Sequence, residues 1–379
     1  MTATSTIVWG PFIVAALVAA AATPFAIWFA PIIGVMDIPK DSRRVHNKPM
    51  PRFGGSAIYL GMMVSLAFFA VHARGVSAIM IGCTSMFVLG LIDDLKNLKP
   101  AVKFSGQILA ATVVFALGVR ITFVRITFME DFLGIDPGMF GNSVIVGGVV
   151  DYIVTVLWLV AITNSVNLID GLDGLAAGIS AISALCIAYV AYIHGYAVPT
   201  MVMMAVAGSA AGFLPFNFHP AKIFMGDSGS QLLGFAIAAF SVSGTVKSAT
   251  IMVVLMPALV LGLPIIDTVL AIIRRTSRHQ SLGTADKDHL HHKIMRAGFG
   301  QRRAVLLMYS VSGIMGVVAV LYSRGLFVEC LGLLAVVAMI IGVILTDTGK
   351  NNIRLKGQRI LREDLGDEQK SRRKKRKSE

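Results

Sequence analysis

Eleven apolar runs, each long enough to cross a bilayer, constrain this chain more than any other feature. A hydrocarbon core of about 30 Å takes roughly 20 apolar residues per helix. Runs that meet that length lie near 8–34, 55–73, 76–92, 104–120, 148–163, 174–193, 198–215, 229–246, 249–272, 304–323 and 326–346. Backbone in lipid must satisfy its own hydrogen bonds, so such runs fold as helices. The expected fold is therefore an all-α integral membrane protein with about 11 transmembrane helices. Pro257 and Pro264 should kink the ninth, whose end approaches Asp267 and Thr268.

Composition agrees. Charged residues are 15% of the chain, against roughly 25% in soluble domains. A mean hydropathy of +0.75 excludes a soluble enzyme and a disordered chain. The net charge is +13, which in a soluble chain would suggest nucleic acid as a partner. In a chain this apolar the charge belongs in membrane loops, so no nucleic-acid partner is expected. Cys83, Cys186 and Cys330 lie in apolar runs without CxxC spacing, offering neither a disulfide framework nor a zinc site. No Lys or Arg precedes Lys40, so the basic n-region of a cleaved signal is missing and the first run is expected to stay as a span.

Eleven spans put the termini on opposite sides. With the N-terminus outside, the inner segments hold 29 of the 34 Lys and Arg. The outer ones keep five: Arg74, Arg120, Arg125, Lys247 and Arg324. That asymmetry predicts an outside N-terminus and a cytoplasmic C-terminus. Segment 121–147 pairs the β-branched and aromatic run ITFVRITF with a Gly/Pro/Asn-rich stretch, which predicts a small external β-hairpin. Residues 1–346 form one membrane domain, and 347–379 a basic tail. Its SRRKKRK run (371–377) fits anionic lipid of the inner leaflet better than a nuclear signal.

Ionisable groups at membrane depth are costly and mark function. Here they gather in four motifs on the cytoplasmic side. In GLIDDLKNLKPAVKF, Asp93 and Asp94 are adjacent, with Lys96, Lys99 and Lys103 following. Paired carboxylates call for a divalent cation or ammonium groups, although an ordinary solvated loop has the same composition. NSVNLIDGLDGLAAG has no Lys or Arg but carries Asn164, Asn167, Asp170 and Asp173. Oxygen-only donors among glycines suit Mg²⁺ or a polar ligand. FNFHPAKIFMGDSGSQLLGF places Asp227 at a helix start, as a metal ligand, an N-cap or both. Loop 274–303 holds His289, His291 and His292 within four residues, among eight Lys and Arg. Zinc, phosphate and plain solvation all remain open for it, with phosphate favoured by the charge. No GxxxxGK[ST] loop and no GxSxG elbow occur. Acids for a metal and cations for phosphate, without a covalent nucleophile, fit phosphoryl transfer.

Together with DIPKDSRRVHNKPMPRFGG (37–55), these motifs resemble the polyprenyl-phosphate N-acetylhexosamine-1-phosphate transferases, bacterial inner-membrane enzymes with a cytoplasmic active site. The resemblance implies transfer of a sugar 1-phosphate from a UDP-sugar to polyprenyl phosphate, with release of UMP. It implies Asp93 and Asp94 as the acids near the lipid-phosphate nucleophile. Asp227 and Asn167 would be ligands to Mg²⁺, for which Mn²⁺ can substitute. Lys103 would meet the diphosphate, Asp173 uracil, and Asn217 the nucleotide pocket. Asn164, Asp170, Phe224, Lys48, Arg303 and the three loop histidines complete the substrate-binding set. DHLHHKIMRAGF looks like the N-acetylglucosamine-1-phosphate branch rather than the muramoyl-pentapeptide one, which usually carries three consecutive histidines. UDP-N-acetylglucosamine, polyprenyl phosphate, membrane lipids and a second copy of the chain are the expected partners. The alternatives are the muramoyl-pentapeptide donor and, in another class, a cation-coupled transporter. A transporter gathers its polar groups at the membrane midplane, not at one face.

Overall fold

A computed structural model describes residues 2–38, 49–121, 123–124, 144–145, 148–242 and 300–340, with a few isolated positions between 261 and 342. Most of the ninth apolar run, including Pro257 and Pro264, the loop residues His289, His291 and His292, and the basic tail lie outside the described residues. So does Lys48.

The described elements are α1 (Thr2–Ile33), β1 (Met36–Asp37), β2 (Met50–Pro51), α2 (Gly54–Phe69), α3 (Val76–Lys96), α4 (Pro100–Ala116), β3 (Phe123–Val124), β4 (Val144–Ile145), α5 (Val149–Ile169), α6 (Leu175–Ile193), α7 (Ala197–Asn217), α8 (Gly226–Val242), α9 (Gln301–Ser323) and α10 (Phe327–Ile340). Six of the helices are long and apolar enough to cross a membrane, and α2, α4 and α10 are shorter apolar helices. The protein is thus an all-α multi-pass membrane protein. The hairpin expected within 121–147 is present, with Phe123 opposite Ile145 and Val124 opposite Val144. A second antiparallel pair, Met36 with Pro51 and Asp37 with Met50, was not legible in the sequence.

Helix ends differ from the hydropathy boundaries where they matter most. α3 runs on to Lys96, so Asp93 and Asp94 lie in its last turn. α8 starts at Gly226, which puts Asp227 in its first turn. Hydropathy windows stop at charge, whereas helical hydrogen bonding continues until a residue ends it. In α3 that residue is Asn97, left-handed at φ 49°, whose N–H bonds back to Asp93 O at 2.8 Å.

α8 is the axis of the bundle. All its residues but Asp227 are buried, and α2, α3, α5, α6 and α7 pack around it. α1 lies against α2 and α7 and turns Trp9, Ile13, Leu17, Phe25 and Trp28 outward. Lipid tails are as apolar as Leu, so close packing rather than water exclusion must hold such helices together. The contact of α3 with α8 depends on it: a Cβ on Gly90 would stand 2.4 Å from Asp227 O. Only glycine lets the end of α3 meet the start of α8 there.

Candidate active site

Four helix ends and one extended segment converge at one end of the bundle. α3 and α5 finish there; α4 and α8 begin there. The extended segment 50–53, which leads into α2, is held by its backbone, with Arg52 N–H donating to Val35 O at 3.0 Å and Phe224 N–H to Pro51 O at 2.8 Å. Gly54 N–H then donates to Phe224 O at 3.0 Å and Gly55 N–H to Met225 O at 2.8 Å. Phe224, expected to bind substrate, therefore contributes backbone that ties this segment to the start of α8.

Asp94 is the deepest acid of the site, its side chain fully buried. Its Oδ1 accepts the Asp227 N–H at 2.8 Å and its Oδ2 the Ser228 N–H at 3.0 Å. It thereby caps α8 from another helix, where the positive end of the helix dipole favours a carboxylate. Gly226, at φ +72°, makes the turn, and a Cβ there would stand 2.5 Å from Asp94 Oδ2. Arg52 closes the group, with Nε 3.1 Å from Asp94 Oδ1 and Nη2 2.7 Å from Asp227 Oδ2. Burial pulls the Arg52 pKa down, but the carboxylates of Asp94 and Asp227 outweigh it and the net direction is upward.

Lys103, in the first turn of α4, is the second cation. Its Nζ lies 2.9 Å from Asp93 Oδ2, 3.0 Å from Asp227 Oδ1 and 3.1 Å from Asn167 Oδ1. Asp93 Oδ1 also accepts the Leu98 N–H at 2.8 Å, which fixes the α3–α4 turn. Asn167 donates from Nδ2 to Asp227 Oδ1 and to Ser230 Oγ, the latter at 2.8 Å. One ammonium is thus surrounded by oxygen atoms from α3, α5 and α8.

One helical turn further along α4, α5 and α8 lies a layer of amides. Asn164 Nδ2 donates to Gln107 Oε1 at 2.7 Å, and Gln107 Nε2 donates to Gln231 Oε1 at 3.1 Å. Gln107 and Gln231 are fully buried, and Gln231 Nε2 has no partner among the described residues.

The turn 170–174 forms a second group. Asp173 Oδ2 is 2.7 Å from His219 Nδ1 and accepts the Ala221 N–H at 3.2 Å. Asn217 is buried, with Oδ1 accepting the Gly174 N–H at 3.1 Å and Nδ2 donating to Ile223 O at 2.9 Å. Tyr309 Oη donates to Gly174 O at 2.5 Å, and Arg302 Nε to His219 O at 3.0 Å. Burial pushes the Asp170 carboxyl up to about 7; Arg52 opposes that, while Asp227, Asp94 and Asp173 add to it.

Asp93, Asp94, Lys103, Asn167 and Asp227 therefore meet, and Asn164 supports them from the next turn. Asp173 and Asn217 share the neighbouring turn. Arg303 is exposed at the start of α9 and forms no hydrogen bond or ion pair with either group among the described residues. Sequence reasoning missed Arg52, Gln107, Gln231, Ser230, His219 and Tyr309. Arg52 had a signal, as the one charge in MPRFGG beside an apolar run; the two glutamines had theirs in being polar within spans.

The glycosyl transferase family 4 model matches residues 76–245, from the start of α3 past α8, and so includes every helix that supplies Asp93, Asp94, Lys103, Asn167 and Asp227. The chain is 36% identical over 346 residues to the probable undecaprenyl-phosphate N-acetylglucosaminyl 1-phosphate transferase of Bacillus subtilis (strain 168), covering 91% of this chain and 93% of that one. It is 34% identical to the decaprenyl-phosphate N-acetylglucosaminephosphotransferase of Mycolicibacterium smegmatis, covering 86% and 87%. It is 27% identical to the undecaprenyl-phosphate alpha-N-acetylglucosaminyl 1-phosphate transferase of Escherichia coli (strain K12), covering 80% and 81%. Similarity on this scale extends well beyond the helices of the site to nearly the whole chain, which belongs to glycosyl transferase family 4.

Proposed function

We propose that the chain transfers N-acetylglucosamine 1-phosphate from UDP-N-acetylglucosamine to polyprenyl phosphate, releasing UMP, at the cytoplasmic face of a bacterial membrane. The observation that carries this reading is the convergence of Asp93, Asn167 and Asp227 on Lys103 at one end of the bundle, within 3.1 Å of its Nζ. A polar site at one end of a bundle suits a soluble donor and a lipid acceptor. The functions in the relatives' names agree, and the excess of Lys and Arg in the inner loops supports the cytoplasmic orientation.

The reaction is a displacement at the sugar-linked phosphorus. An oxygen of the lipid phosphate forms the new P–O bond, and the bond to the UMP oxygen breaks, its electron pair leaving with UMP. A phosphate monoester has its second pKa near 6, so at pH 7 it attacks largely as the dianion without a strong base. Asp93, held by Leu98 and Lys103, serves to orient that nucleophile. Lys103, held among Asp93, Asn167 and Asp227, would meet the diphosphate, and its charge would offset what develops on the leaving oxygen.

The donor set fits Mg²⁺. No group of three or more His, Cys, Asp or Glu side chains among the described residues is arranged to hold an ion. Mg²⁺ does not require one, since one or two carboxylates plus substrate phosphates are its usual ligands. Asp227 and Asn167 would hold it, with Ser230 orienting Asn167. When bound, the ion supplies positive charge against the diphosphate.

Purified protein given polyprenyl phosphate and UDP-N-acetylglucosamine tests the reading. Release of UMP that needs both substrates and stops with chelator is expected; no UMP from any UDP-sugar would overturn it.

A further inference from the structure

Arg52 is a strong cation in the site with no role in the reaction described above. A guanidinium carries five N–H donors. Nη2 is used by Asp227 and Nε faces Asp94, while Nη1 has no partner among the described residues. The Asp94 side chain is fully buried, whereas 29% of the Arg52 side chain is exposed. The inner edge of the guanidinium is thus anchored and its outer edge is open. Holding segment 50–55 against α8 does not require this charge, because the backbone bonds of Pro51, Gly54 and Gly55 to residues 224 and 225 already do so.

We propose that Arg52 is a substrate-phosphate ligand: its outer edge binds oxygens of one phosphate group while Asp94 and Asp227 hold its inner edge. The planar fork matches two phosphate oxygens at once, which an ammonium cannot do. Asp94 then has two tasks, capping α8 and aiming Arg52, and both follow from its burial. The phosphate belongs either to the lipid or to the nucleotide. This assignment rests on the transferase reading, because that reading brings two phosphorylated substrates to this end of the bundle.

Arg52→Lys and Arg52→Gln, with the Michaelis constant measured for each substrate at saturation of the other, test it. Arg52→Lys keeps the charge and loses the fork. It should raise KM for one substrate about tenfold, with the larger rise in Arg52→Gln. The substrate affected identifies the phosphate. Unchanged KM for both substrates in a folded variant would overturn the assignment, as would a lowered melting temperature with KM unmoved. A second measurement needs no variant: modification of wild-type Arg52 by a dicarbonyl reagent, read by mass spectrometry. Protection by polyprenyl phosphate or by UDP is expected, and protection by neither overturns the assignment. Failure of the wild type to release UMP would instead overturn the transferase reading, whatever Arg52 does.

Discussion

Asp94 caps the helix that carries Asp227, although the two lie 133 residues apart in the chain; its Oδ1 accepts the Asp227 N–H at 2.8 Å. The carboxylate positions the start of α8, and Asp227 occupies that start. Adjacent Asp93 and Asp94 therefore do different things: Asp93 meets Lys103, and Asp94 builds the frame.

Asp94→Ala should destabilise the protein more than Asp93→Ala. It removes a cap and leaves a buried guanidinium edge without its partner, a loss of about 1–3 kcal/mol. Thermal unfolding in detergent checks the order of the two variants.

Asp93→Asn should keep the fold, because the amide oxygen can still accept the Leu98 N–H. Turnover should fall by about tenfold to a hundredfold if the carboxylate orients the nucleophile. Near-normal turnover with saturating Mg²⁺ would remove any essential role for that charge.

Asn167→Ala and Asp227→Asn should each weaken divalent-metal binding. Mn²⁺ binding followed by electron paramagnetic resonance reads this without turnover. A loss of about tenfold or more in affinity is expected for both, against little change for Asp173→Asn.

The amide layer makes a prediction of coupling. Gln107→Leu strands the buried amides of Asn164 and Gln231, costing about 1–3 kcal/mol. Gln107→Leu combined with Gln231→Leu should cost less than the two single changes added together, because both partners of one hydrogen bond go at once. Melting temperatures of the two single variants and the double variant measure this.

Asp170 gives the pH dependence. Burial raises its pKa to about 7, from about 3.9 in an unfolded chain. The folded state therefore holds this proton more tightly, so the stability it contributes is complete below about pH 4 and is lost as pH rises through about 7. In metal-free buffer the melting temperature should fall across that window. Asp170→Asn should flatten the fall.

Much of the frame was legible because lipid leaves few options. Long apolar runs become helices, and the rarity of acids among them marks Asp93 and Asp227, while the motifs around them and their family resemblance nominate Lys103 and Asn167. What hydropathy could not convey was which oxygen meets which proton. The Asp94 cap on α8 depends on Gly90 letting two helices touch, a contact across 137 residues of chain. Arg52 directly follows the strand Met50–Pro51, which pairs with Met36 and Asp37, and a two-residue strand leaves no periodicity to find. Asn217 was nominated for the nucleotide pocket, and each of its amide atoms bonds backbone, at Gly174 and Ile223. Those two bonds brace the turn that carries Asp173, a task that its type and place in the sequence did not convey.

The central claim is that the sugar moves together with its phosphate. UDP-N-acetylglucosamine labelled at the sugar-linked phosphorus separates that from simple sugar transfer. After turnover with polyprenyl phosphate, the account predicts the label in a lipid-linked diphosphate and unlabelled UMP in solution. Label recovered in UDP, with the sugar alone on the lipid, would contradict it.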